Sequence, residues 1–237
     1  MNIEEEAVQE QLKEATASEG EEVTVEQAEE TPGVRFEDRV QIMEALSKNR
    51  DLSNADLSGM DLAGMKFAGL KMVGADLSGA DAAGGTFAGA DVSETDMAGA
   101  DLTGATFAGA NMAHVVLRKA KMMAAKFAGV NLEQADLSGA DLTDTKILGT
   151  SLKGGTLKGA KLVAAKLFGA SLEDADLTGA DMTGSTLKRV EVRGADFTDV
   201  NTTGSRAAWV EWAQAKVPPA ELPEPLPTPP PWLPPVI

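Results

Sequence analysis

Residues 90–109 read ADVSE TDMAG ADLTG ATFAG: four five-residue units, each with one large apolar residue at its middle, Val92, Met97, Leu102 and Phe107. Neither a helix nor a strand has a period of five. The pattern runs outward in both directions without an insertion, from Arg50 to Gly204, making 31 units. The central residue is Leu, Phe, Met, Val or Ile in all but two units, the exceptions being Ala82 and Thr202. Two residues before the centre, Ala fills 17 of the 31 positions; two after it, Gly fills 20. Residues two apart in extended backbone point to the same side. Each centre therefore faces inward with a small partner, and the residue between them faces outward. Gly two after the centre suits a corner of positive φ.

A second period sets the architecture. Phe67, Phe87, Phe107 and Phe127 lie 20 residues apart, and Ile147, Leu167 and Leu187 continue the series. Four units per turn stack these side chains over one another as a core ladder. The expected fold is all-β: a quadrilateral β-helix of about 7.75 coils, roughly 37 Å long at the usual strand spacing. Short capping helices are expected at its ends, since a solenoid must cover its terminal core and strand edges. Val40 and Met43 are suited to one end; Trp209 and Trp212 are candidates for the other, as an end cap or a dimer seam.

Composition divides the chain at the same places. The whole chain carries a net charge of −16, of which residues 1–49 hold −10 and the coil only −5. The expected organisation is an acidic, disordered leader (1–34), a capping helix (35–49), the coil (50–204), a second helix (205–217) and a Pro-rich flexible tail (218–237). With no Cys and a single His, His114, the chain offers no disulfide framework, thiol nucleophile or histidine cluster. Gly residues are periodic corners rather than a phosphate loop, so no catalytic, cofactor or metal site is expected. No basic, apolar leader signal and no long apolar stretch are present. A cytoplasmic protein without membrane contact is expected, with export by a specialised system left open.

Units such as Ala-Asp-Leu at 55–57, 75–77, 135–137 and 175–177 resemble the motif of the pentapeptide repeat family. The resemblance covers residues 50–204 and implies a right-handed coil, often helix-capped and often a homodimer through its C-terminal end. The resemblance does not by itself fix a function. The two terminal arms, the sorted charges and the apolar patch described below point to a non-catalytic scaffold that binds a protein partner through its coil faces and flexible ends. The occurrence of bacterial members in secretion-system gene clusters makes an effector adaptor one version of it. Some members bind DNA gyrase through an acidic, DNA-like rod.

Sorting the outward residues by turn shows what such a rod would present. One face carries Asp56, Asp76, Asp96, Asp136, Asp176 and Asp196; its neighbour carries Asp61, Asp81, Asp101, Asp141 and Asp181. The face opposite the first carries Lys66, Lys126, Lys146 and Lys166. The acidic edge is the candidate surface for a gyrase-type partner, although Asp also suits tight corners. A duplex 37 Å long holds roughly 22 negative charges. The coil has 20 carboxylates but 15 cations, so a uniform DNA mimic is disfavoured, and direct nucleic-acid binding is not expected. Met123, Leu148, Val163 and Phe168 occupy outward positions that are elsewhere small or polar, forming a candidate apolar contact patch. Either a protein partner or the tail, with Trp232 and Leu233, would cover it.

Overall fold

The computed structural model describes residues 34–48 and 50–226. The leader up to residue 33, and Trp232 and Leu233 of the tail, lie outside the described residues. Between them the chain is a parallel β-solenoid in which residue i pairs with residue i+20, from Asp51↔Lys71 to Asp181↔Asn201. The twenty-residue period is therefore one turn of a four-sided coil, as the right-handed quadrilateral β-helix requires. We number its sides by their centres: face 1 holds Leu57, face 2 Leu62, face 3 Phe67 and face 4 Leu52.

Backbone groups of neighbouring turns satisfy one another. Leu57 N–H donates to Asp76 O at 2.7 Å, Asp76 N–H to Ala55 O at 2.9 Å, and Gly59 N–H to Ser78 O at 2.8 Å. This triplet repeats along the rod, so its polar backbone is paired without helices or long strands. Within each unit the N–H of the inward small residue closes a turn on the preceding centre, as from Ala100 to Met97 O at 3.1 Å.

The core is a set of side-chain ladders. Phe67, Phe87, Phe107 and Phe127 stack face to face, with ring centroids 4.8–5.0 Å apart and interplanar angles of 18° or less. All four are buried, as are the Ala residues between the ladders. Some buried hydroxyls find local carbonyls, with Thr145 Oγ1 donating to Leu142 O at 2.7 Å and Ser205 Oγ to Thr202 O at 2.6 Å, whereas Ser185 Oγ has no partner among the described residues.

Corners take positive φ whatever residue stands there. Gly occupies most of them, yet Ala124, Ala164 and His114 adopt φ of 56°, 53° and 59°. The left-handed conformation is thus imposed by the coil and tolerated by residues that would not choose it.

On face 3 the closing turn opens in the C-terminal half. Here the chain stays extended as β1 (Lys126–Ala128), β2 (Lys146–Leu148), β3 (Lys166–Phe168), β4 (Thr186–Lys188) and β5 (Arg206–Ala208), paired in parallel and in order. Three of the four inward residues that follow β1–β4 are β-branched: Val130, Thr150 and Val190.

The ends depart from expectation. At the N-terminus, α1 (Arg39–Lys48) is capped by Asp38, whose Oδ1 accepts Gln41 N–H at 2.9 Å. The residue it buries is Ile42, with Phe36, Ala45 and Leu46 partly buried beside it; Val40 and Met43 face outward, at 64% and 60% exposure. The helix expected over 205–217 does not form. Residues 205–209 instead add one more side to face 3, followed by a 3-10 turn at Trp212–Gln214 and a bridge from Val217 to Asp196. The first part of the tail is also ordered: β6 (Glu224–Pro225) pairs with β5. Trp212 covers the coil end, packed edge-on against Phe197 at 5.3 Å, whereas Trp209 is 64% exposed.

Phe107→Ala should remove the middle ring of the stack and cost about 3–5 kcal/mol. Ala164→Gly should relieve its corner and stabilise by about 0.5–1 kcal/mol. Chemical denaturation of the two variants checks both signs.

Candidate functional site

The acidic edge is built by the same device in every turn. Each of the 13 Asp residues that precede a coil centre turns its Oδ1 back on its own chain, where it accepts the N–H two residues on. Asp76 accepts Ser78 N–H at 2.8 Å and Asp101 accepts Thr103 N–H at 3.0 Å. Where that residue is Ser or Thr its hydroxyl often adds a second bond, as from Thr143 to Asp141 at 2.6 Å. Asn111, Asn131 and Asn201 cap their turns through the same atom. The Asp stripe is therefore first a stripe of Asx caps. The recurring Asp-Leu-Ser and Asp-Leu-Thr triplets carry the sequence signal for it.

Register brings the carboxylates together as expected: Asp56, Asp76 and Asp96 are successive partners on face 1, and Asp61, Asp81 and Asp101 on face 2. The columns are then broken. Val116 and Thr156 interrupt face 1, and Lys121 and Lys161 interrupt face 2. Most of the remaining charge is matched by a cation on a neighbouring turn. Arg35, Arg118, Lys158 and Lys216 reach Asp56, Asp136, Asp176 and Asp196 at 3.0–3.3 Å. Lys121, Lys161 and Arg39 lie 3.7–3.9 Å from Asp101, Asp141 and Asp61. Asn201 donates to Asp181 at 3.3 Å. Asp76, Asp81 and Asp96 have no cation partner among the described residues and gather in the N-terminal turns, while Asp181, farther along, meets only the neutral Asn201 amide.

The apolar patch is smaller than expected. Leu148 and Phe168 are register partners in β2 and β3, 40% and 36% exposed, and Met123 is similarly exposed at the neighbouring corner. Val163 is half-buried and adds little to it. Trp209 lies on the same face, unforeseen as a surface feature, with Lys188 Nζ and Arg189 Cζ 5.2 and 5.3 Å from its ring.

Nothing in this arrangement converges as a reaction centre does. Among the described residues no group of three or more His, Asp or Glu could hold a metal ion. The concave regions, of about 330 and 510 Å³, lie at the rod ends, one beside Trp209 and one under α1. No helix among the described residues is long and apolar enough to cross a membrane.

The caps can be told from a charged stripe by substitution. Asp101→Asn keeps the acceptor and should lose only the contribution of the charge, whereas Asp101→Ala should lose the cap as well and cost about 1 kcal/mol more. The Thr103 hydroxyl, then its N–H and Lys121, outweigh burial and hold the Asp101 carboxyl below the usual carboxylate range. A depressed folded-state pKa stabilises at any pH above the unfolded value and loses that contribution as pH falls through the folded one. The melting temperature should hold steady down to about pH 5 and fall below about pH 4. Thermal melts across that range check it.

Comparison with known proteins agrees with the coil. The pentapeptide repeats model matches eight copies, over residues 51–81, 86–123, 120–159 and 160–199. No curated protein matches. Among solved structures, HetL, involved in heterocyst differentiation regulation in the cyanobacterium Nostoc sp. strain PCC 7120, is 22% identical. That alignment covers 77% of this chain and 98% of HetL, with a TM-score of 0.52. Trypsin-treated QnrB1, a plasmid-mediated fluoroquinolone resistance protein, is 19% identical over 70% of this chain and 86% of its own, with a TM-score of 0.51. At these identities the likeness is one of fold. The repeat, the four-sided register and the family match together make this chain a member of the pentapeptide repeat family.

Proposed function

We propose that the protein is a non-catalytic interaction scaffold that holds a protein partner on its acidic side. The observation that carries this reading is the sorting of charge by face. Asp76, Asp81 and Asp96, which meet no cation among the described residues, sit together on faces 1 and 2. A convex rod with exposed, unmatched charge and no central cleft is suited to holding a basic surface, not to turning over a substrate.

A DNA-gyrase or topoisomerase partner is the second reading, favoured by the register of Asp76 above Asp96. Against it stand the short reach of the free acidity and the cations that neutralise the rest.

Capture from extracts of the source organism, with wild type and an Asp76→Asn, Asp81→Asn, Asp96→Asn variant, tests the scaffold. The variant keeps its caps, so its melting temperature should stay while capture falls several-fold; equal capture by both would move the contact elsewhere. A gyrase supercoiling assay separates the readings, since inhibition by the wild type that the variant loses would favour the second.

A further inference from the structure

The coil sides of face 3 carry no carboxylate, and Glu224 of β6, the register partner of Arg206, adds one at its C-terminal end. These sides run 65–69, 85–89 and onward in twenty-residue steps to 205–209. Lys66, Lys126, Lys146 and Lys166 share one column of it, and Lys188, Arg189 and Arg206 lie toward its C-terminal end. All are exposed, and none forms an ion pair among the described residues. Elsewhere on the coil, Lys71, Lys121, Lys153, Lys158 and Lys161 each reach a carboxylate within 3.8 Å. Lys126, Lys146 and Lys166 are register partners on adjacent strands, so three ammonium groups rise from consecutive rungs about 4.8 Å apart. Like charges so placed repel one another, and an external anionic surface would relieve that.

Apolar groups are interleaved with these cations. Two residues along each strand stand Leu148 and Phe168, and Trp209 lies at the corner of the last rung, under Lys188 and Arg189. Basic side chains mixed with exposed Phe, Leu and Trp make up the composition of a membrane–water interface.

We propose that face 3 is a docking surface for an anionic lipid bilayer. Three features favour a bilayer over an acidic polypeptide. The ladder has no free edge along this face, because its N–H and C=O groups are bonded rung to rung, so strand addition is closed to a peptide. The two concave regions described above lie at the rod ends and are not lined by Lys126, Lys146 or Lys166. The chain also departs asymmetrically. β6 joins face 3, and residues 227–237, PTPPPWLPPVI, follow it with no charged side chain. At the other end of the described chain, Arg35 bridges to Asp56 on face 1, across the coil from the basic face.

The test is co-sedimentation of the full-length protein with vesicles of phosphatidylcholine alone or mixed with phosphatidylserine. The protein should pellet with the mixed vesicles only, and less as salt rises. Lys126→Gln, Lys146→Gln and Lys166→Gln together should weaken binding at least about tenfold. Phe168→Ser should weaken it further, and Asp76→Asn should leave it unchanged. Thermal melts of each variant establish that the coil is intact. Absence of binding to the mixed vesicles, or equal binding by the lysine variant, overturns the proposal. So does retention on polyglutamate or duplex DNA without vesicle binding, which would assign the face to a different polyanion. Partner capture on the acidic side is measured without vesicles, so either reading can fail while the other stands.

Discussion

The parallel ladder of backbone hydrogen bonds between turns twenty residues apart is the constraint on which the rest of this molecule depends. From Asp51 to Asn201 it runs without an insertion, and one extra residue there would move every later side chain off its column. It also forces like onto like. A residue type favoured at one position of the repeat becomes a stripe along a face, and a Phe favoured every twentieth residue becomes a stack of rings. A chain with seven Phe and no Tyr can build a continuous core this way because each large side chain meets its counterparts above and below.

The same stacking gives the surface two kinds of Asp that look identical in sequence. All of them cap turns, and a cap needs only one carboxylate oxygen. What differs is the fate of the second. On Asp136 or Asp176 it meets an Arg or Lys from an adjoining turn, and the charge is matched. On Asp76 and Asp96 no such cation is placed. An acidic stripe is thus the by-product of a turn-closing preference, and only its unmatched part is free for a partner.

The coil was legible because periodicity reports inward and outward positions directly, and every residue expected in the Phe ladder is buried there. The ends were not, because they leave the repeat. Val40 and Met43 fit a helical spacing, yet the start of α1 at Arg39 rotates Ile42 inward instead. Residues 205–209 lack a large centre, with Ala207 in that place, but the ladder of β4 offers unpaired backbone groups that they satisfy. Hydrogen-bond demand from the preceding turn outweighed the local helical pattern. Val163 escaped for a related reason: its position in the repeat names a side of the coil, not how far a side chain stands out from it.

Net charge describes such a rod poorly. Its value of −16 averages an acidic leader, a coil whose faces 1 and 2 are capped by carboxylates, and a face whose coil sides hold none. In a compact globule these would blur into one field. Here the ladder holds face 1 and face 3 on opposite sides, and solvent screening decouples them beyond a Debye length. A partner approaching face 3 meets lysines before it senses the remainder of the chain, and one approaching face 1 meets carboxylates. Two surfaces of opposite sign, back to back on one coil, would let the two proposed contacts form on a single chain without either altering the other.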